Sequence, residues 1–213
     1  MTYAYRVNID GIELELETGE NCFSPKSADK GTLAMLSLCR IKPGEKILDL
    51  GCGCGIVGIW CAKIVGGEKV FMTDILPEAT EIAKKNALKN CVENVTVVCG
   101  NGLEAVEEND FDVIMSNPPY HTDFSVAKSF IEKGFNRLKI GGRMVMVTKR
   151  LDWYKNKLTA VFGGCKVNEA DGYYVFEAIK RSDIRRDVEK AKQKKKEKQD
   201  SLQQKKVPKR FRK

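Results

Sequence analysis

The run "EKILDLGCGCGIVG", residues 45–58, constrains this chain more than any other stretch. "EKILDL" is a short apolar segment that reads as a buried strand. It passes without a spacer into Gly51, Gly53, Gly55 and Gly58. Glycines there allow positive φ and let the backbone approach a ligand closely. "IVGIWCAKIVG" follows with helical apolar spacing and ends at Gly66-Gly67. A strand, a glycine loop and a helix in succession form the opening unit of an open parallel sheet. Such sheets bind ligands at the carboxyl ends of their strands.

The rest of the chain repeats the alternation. A hairpin is expected over 3–17, turning at Asp10-Gly11. "GTLAMLSLCRI" is a helical segment. "KVFMTDI", "NVTVVCGN", "FDVIMSN" and "RMVMVTK" read as strands. Between them lie helices at "PEATEIAKKNALKN", which has Pro77 near its start, and "SVAKSFIEKGFNRLK", closed by Gly141-Gly142. "WYKNKLTAVFG" is a further helix, and "CKVNEADGYYVFEAIKR" a closing antiparallel pair around Asp171-Gly172. The expected fold is α/β: a Rossmann-like, doubly wound, mostly parallel sheet with helices on both faces.

Residues 1–181 form the expected domain. Residues 181–213 carry 15 Lys and Arg against 5 Asp and Glu. That excess is larger than the +8 of the whole chain, so the other residues are slightly acidic. The segment 182–213 has too few apolar residues to bury a core and is expected as solvated helix or disorder. A basic arm of this kind points to nucleic acid, through Arg181–Lys213.

Composition excludes several function classes. No apolar run approaches the ~20 residues that span a bilayer, so no membrane partner is expected. The first ten residues lack the charged and apolar regions of a secretion signal. Eight Cys are scattered singly apart from Cys52 and Cys54, which suits reduced thiols in a cytoplasmic protein. His121 is the sole histidine, which excludes zinc chemistry with several His ligands, and no metal is expected.

Candidate site residues fall at the ends of successive strands. Asp49 precedes the glycine loop. Asp74, with Ile75 after it, ends the second strand, where a carboxylate can accept from both ribose hydroxyls. Asn101-Gly102 follows the third strand, where an adenine edge would lie; the pair is also a common turn. Asn117-Pro118-Pro119-Tyr120 closes the fourth strand. Two consecutive prolines cannot continue a sheet ladder, because they supply no N–H. The strand stops there, with a polar amide and an aromatic ring held on stiff backbone. In an open sheet this strand lies beside the first, across the switch point. Gly53, Gly55 and Gly58 spell the dinucleotide pattern, so a nicotinamide cofactor is one reading. S-adenosylmethionine is the other: an acid beside the loop suits its cationic methionine end.

The Gly51-x-Gly53-x-Gly55 series after Asp49 resembles the S-adenosylmethionine loop of class I methyltransferases. The quartet at 117–120 resembles the Asn-Pro-Pro-Tyr/Phe signature of enzymes that methylate planar NH₂ groups. Their logic is physical. An exocyclic amine is a weak nucleophile because its lone pair is delocalised. The Asn117 side-chain carbonyl and the Pro118 main-chain carbonyl can each accept an N–H, leaving the lone pair aimed at the methyl, and Tyr120 offers a face for stacking. Together with "FSPKSADKGT" (residues 23–32) and "DGYYVFEAIKR", these motifs make residues 3–181 resemble the small-domain methyltransferases, whose best-known members methylate guanine N2 in small-subunit ribosomal RNA. The resemblance implies a seven-stranded sheet with the last strand antiparallel, and Gly31 and Thr32 as further cofactor contacts. It implies S-adenosylmethionine as cofactor and RNA as substrate. Tyr120 also occurs in relatives acting on adenine N6 and on protein glutamine, which stand as alternatives. A non-catalytic RNA-binding module is a third. His121 is a candidate contact to substrate or phosphate.

Overall fold

The computed structural model describes residues 2–20, 24, 27–119 and 124–185. Tyr120, His121 and all of the tail beyond Arg185 lie outside the described residues.

The chain opens with β1 (Thr2–Ile9) and β2 (Ile12–Gly19), a two-stranded antiparallel sheet. Asp10 and Gly11 both take positive φ, 50° and 84°, as a tight two-residue hairpin turn requires. The strands extend a little beyond the expected 3–17. α1 (Lys30–Leu38) follows, its N-terminus capped by Asp29. The core sheet contains β3 (Ile47–Leu50), β4 (Val70–Asp74), β5 (Thr96–Cys99), β6 (Phe111–Ser116), β7 (Leu138–Thr148), β8 (Lys166–Ala170) and β9 (Tyr173–Ile179). Its helices are α2 (Ile56–Val65), α3 (Pro77–Lys89), α4 (Ser125–Arg137) and α5 (Leu151–Phe162).

The spatial order is β5-β4-β3-β6-β7-β9-β8. The first five strands are parallel, and β9 runs antiparallel to both β7 and β8. The last strand among the described residues is thus the antiparallel one, as expected, and it inserts between its neighbours. The order reverses between β3 and β6, which places the expected switch point there.

Alternation along the strands sorts the core into two layers. Ile47, Val113, Met115, Val145 and Val147 point to the face covered by α1, α2 and α3. Leu48, Leu50, Ile114, Met144, Met146 and Phe176 point to the face covered by α4 and α5. The approach of α2 to the sheet is close: a Cβ at Gly58 would lie 2.3 Å from the Met72 sulfur.

One expected boundary is wrong. α4 ends at Arg137, and Gly141-Gly142 lies inside β7 instead of closing the helix. Leu138 already pairs with Phe111, and the register shifts before Val113 meets Arg143. At that irregularity a Cβ on Gly142 would meet the Phe111 carbonyl at 2.7 Å, so the glycine serves a crowded strand rather than a helix end. The true helix end is held by Arg137, which donates to the carbonyls of Glu107 and Glu108 at 2.8 and 2.9 Å. Among the described residues, no helix is long and apolar enough to cross a membrane.

Candidate active site

The glycine loop is shaped by hydrogen bonds to its own sheet. Gly51 and Cys52 each donate a main-chain N–H to the Thr73 carbonyl at 2.9 Å. Gly53 N–H donates to Asp74 Oδ2 and Gly58 N–H to Asp49 Oδ2, both at 2.9 Å. Gly51 and Gly53 hold φ of 79° and 54°. A Cβ at Gly53 would meet nothing within 4 Å, and one at Gly51 only Phe130 at 3.8 Å. The loop therefore presents bare backbone to open space, as a ligand cradle does.

That space is a cavity of about 430 Å³. Asp49, Gly51, Gly53, Asp74, Ile75, Asn101, Gly102, Asn117 and Thr32, all expected from the sequence, are on its wall. Three expected residues are not. Gly55 starts α2 at φ 88° and packs on Ala83. Gly31 faces Tyr173, whose ring would lie 2.7 Å from an added Cβ. Pro118 is buried behind Pro119, which does reach the wall. Tyr120 lies outside the described residues.

Three carboxylates, Asp29, Asp49 and Asp74, line the cavity, and no Lys or Arg does among the described residues. Asp49 is only 2% exposed. Burial pushes its carboxyl up to about 7, aided by the Asp74 charge and opposed by the Gly58 N–H. Asp74 Oδ1 accepts from Leu76 N–H at 3.0 Å while Oδ2 holds Gly53. The carboxylate thus bridges β4 to the glycine loop, and each oxygen keeps a second lone pair for a ligand. The Asn101 side-chain NH₂ is engaged by Glu104 at 3.0 Å.

Opposite the loop, β6 ends at Ser116, whose hydroxyl donates to the Leu50 carbonyl at 2.7 Å. This clamp holds the end of β6 against the end of β3 and brings Asn117 to the cavity. The Asn117 Nδ2 donates to Asp29 Oδ2 at 2.9 Å and to Thr32 Oγ1 at 3.0 Å. Its Oδ1 is buried and has no hydrogen-bond partner among the described residues. A buried acceptor left open in this way costs stability, about 1–3 kcal/mol, unless a ligand satisfies it.

Sequence reading missed two residues here. Asp29 is visible in the sequence as a helix cap, but its bond to Asn117 spans 88 positions, and no local pattern signals it. Phe130 is one apolar residue of an amphipathic helix. Its ring lies between Gly51 and Gly102, 2.8 Å from where a Gly102 Cβ would sit, and it covers one side of the cavity.

The model of the methyltransferase small domain matches residues 13–177. The chain belongs to the methyltransferase small domain family. It is 28% identical over 181 residues to a protein named ribosomal RNA small subunit methyltransferase C from Pseudomonas putida, covering 79% of this chain and 54% of that one. To the protein of the same name from Hahella chejuensis it is 32% identical over 183 residues, covering 83% and 53%. The chain spans about half the length of the curated relatives it matches. Among solved structures it resembles the T. thermophilus 16S rRNA N2 G1207 methyltransferase in complex with AdoMet and guanosine, with a TM-score of 0.77 and 25% identity, over 84% of this chain and 51% of that one. A methyltransferase from Pyrococcus furiosus shares the fold at a TM-score of 0.67 and 23% identity, over 79% of this chain and 90% of the other.

Proposed function

We propose that this protein is an S-adenosylmethionine-dependent N-methyltransferase that acts on an exocyclic amine of an RNA base, guanine N2 in ribosomal RNA. The observation that carries the reading is the Asn117 amide. Its two N–H groups are spent on Asp29 and Thr32, and its carbonyl oxygen is left buried at the edge of the cavity with no hydrogen-bond partner among the described residues. That is an acceptor waiting for an N–H donor.

The charge of the cavity supports the cofactor. Asp49 and Asp74 beside the glycine loop, with no described base on the wall, suit a cationic ligand and repel a pyrophosphate. The Gly51, Cys52, Gly53 and Gly58 amides, which a dinucleotide's phosphates would need, are already taken by Thr73, Asp74 and Asp49. The residues present therefore fit S-adenosylmethionine and not a dinucleotide. When bound, the cofactor supplies an electrophilic methyl group on a sulfonium.

The residues of the chain then divide the work. Asp49 faces the positive methionine end, and Asp74 takes the ribose hydroxyls on its free lone pairs. Asn101, Gly102 and Phe130 border the adenine. Asn117 Oδ1 accepts one proton of the substrate amine, and the Pro118 carbonyl, which lies off the cavity wall, accepts the other once the base is seated. With both protons held, the nitrogen lone pair faces the methyl. Charge developing on the nitrogen meets two dipoles already aimed at it. The nitrogen becomes acidic once alkylated and loses a proton to water, so no strong base is required. Tyr120 stacks on the base plane. Residues 1–181 supply the pocket, and the basic segment to Lys213 supplies phosphate contacts that fix position but not base identity. The names of the relatives and the guanosine in the T. thermophilus complex support guanine N2 as the target.

The test is incubation with methyl-labelled S-adenosylmethionine and small ribosomal subunits or ribosomal RNA from cells lacking this enzyme, followed by digestion to nucleosides. The expected product is N2-methylguanosine. Asn117→Ala is expected to lower turnover by about 100-fold or more while cofactor affinity stays within about threefold. Label in N6-methyladenosine would move the target base. Label in protein alone, or nowhere, would overturn the reading.

A further inference from the structure

Asn117 accepts a substrate proton only if its amide is turned with the oxygen toward the cavity. Nothing in the amide itself fixes that choice, because its oxygen and nitrogen ends have nearly the same shape. Two neighbours touch its nitrogen. Thr32 Oγ1, at 3.0 Å, is a hydroxyl: it can accept from an N–H or donate to a carbonyl, and it would tolerate either orientation. Asp29 Oδ2, at 2.9 Å, is a carboxylate oxygen and can only accept. Turning the amide over would set the Asn117 carbonyl against that carboxylate.

We propose that Asp29 is a positioning residue: it fixes the orientation of the Asn117 amide and makes the Asn117 oxygen a one-way acceptor for substrate N–H. It follows that the pocket selects bases with an amino group at the reacting edge over those with an oxo group there. An oxo oxygen would face the locked Asn117 oxygen with no proton between them. Asp29 does not touch the substrate in this scheme. It acts through Asn117.

The same Asp29 oxygen also accepts from Thr32 N–H at 2.8 Å, capping α1. One atom thus ties the start of α1 to the end of β6, and Thr32 is held in register by the cap whose hydroxyl meets Asn117. The capping role is what a purely structural account would assign to Asp29, and the experiment has to separate the two. Three substitutions do so. Asp29→Asn keeps a carbonyl oxygen that can accept from both Thr32 N–H and Asn117 Nδ2. Asp29→Ser keeps a helix-capping oxygen but is shorter and also a donor. Asp29→Ala removes both functions.

The inference rests on the proposed reaction for its kinetic readout and is independent of it for its spectroscopic one. In methyl transfer, Asp29→Ala and Asp29→Ser are expected to lower kcat by about 10- to 100-fold, with the dissociation constant for S-adenosylmethionine within about threefold of the parent. Asp29→Ser is expected to melt near the parent temperature, and Asp29→Asn to keep kcat within about threefold. In protein labelled with ¹⁵N-asparagine, the Asn117 side-chain NH₂ is identified by its disappearance in Asn117→Asp. Its protons are expected to exchange with solvent slowly in the parent and at least tenfold faster in Asp29→Ala. Parent-like kcat in Asp29→Ser, or Asp29→Asn falling as far as Asp29→Ala, would overturn the inference. So would unchanged Asn117 exchange in Asp29→Ala. If the parent transfers no methyl to any RNA, the reaction assignment fails, and the exchange comparison still decides whether Asp29 holds the amide.

Discussion

Asp49 shows how a single residue couples fold and ligand. Its carboxyl is pushed up to about 7 from an ordinary 3.8, first by burial and then by Asp74. A carboxyl raised on folding takes up a proton between those two values, so the free protein loses stability as the pH rises from about 4 to about 7 and levels off above. Asp49→Asn is expected to flatten that slope in thermal melts run from pH 5 to pH 8. A cationic cofactor favours the ionised form. Its affinity is therefore expected to strengthen as the pH rises through about 7, by at most about tenfold per unit, with a proton released on binding below that pH. Calorimetry at pH 5.5 and 7.5 in two buffers of different ionisation heat checks both. A dissociation constant independent of pH would remove Asp49 from the cationic end.

At the scale of elements, the hairpin is attached in a way that its sequence does not advertise. Asn86 on α3 and Asn90, the residue that caps its C-terminus, stand one turn apart and treat β2 as a neighbouring strand would. Asn86 accepts from Glu17 N–H and donates to the Glu17 carbonyl, both at 2.8 Å. Asn90 accepts from Glu15 N–H at 3.1 Å and donates to the Glu15 carbonyl at 2.8 Å. The match is geometric. Four helical residues rise about 6 Å, and two strand residues span about 6.8 Å. Asn86 also donates to the Cys54 carbonyl at 2.8 Å, which links the hairpin to the glycine loop. Asn86 is fully buried. Asn86→Ala is expected to cost about 3 kcal/mol, because it removes a fully buried side chain that makes three hydrogen bonds to main-chain groups of Glu17 and Cys54. A melting temperature lowered by roughly 6–12 °C checks it. Cofactor affinity is expected to weaken by several-fold as Cys54 loosens.

At the scale of the whole molecule, the sheet and its helices close before the basic segment begins. Lys180 exchanges main-chain hydrogen bonds with Gly141 and Gly142 at 2.8 Å, and its buried ammonium donates to the Leu138 carbonyl at 2.7 Å. Removing residues 182–213 takes away no strand of the described fold. It does take away the Arg185–Glu132 pair at 3.5 Å, a minor loss since Lys157 also holds Glu132. Deletion is expected to leave the melting temperature within a few degrees. It should weaken RNA binding and flatten the dependence of log affinity on log salt by roughly 0.7–0.9 for each phosphate that the tail no longer neutralises. An unchanged slope would show that the tail does not touch RNA.

Sequence alone determined the features that local physics enforces. Strand–glycine–helix succession fixed the α/β class, the switch point and the placing of Asp49, Asp74, Asn101 and Asn117 at strand ends, because period and turn chemistry are short-range properties. The two prolines after Asn117 stopped β6 where the amide is needed. Local signals also misled: Gly141-Gly142 looks like a helix stop until the carbonyl of Phe111, from another strand, is seen beside it. Only the tertiary structure decided which end of the Asn117 amide is held by Asp29 and Thr32, that Gly31 packs against Tyr173, and that Phe130 covers the pocket. Each of those depends on groups far apart in the chain that meet when two layers pack on one sheet. The hydrogen bond from Asn117 to Asp29 leaves no trace in the sequence, because the two segments that hold these residues lie 88 positions apart and neither names the other; its meaning arises only when β6 delivers one to the other.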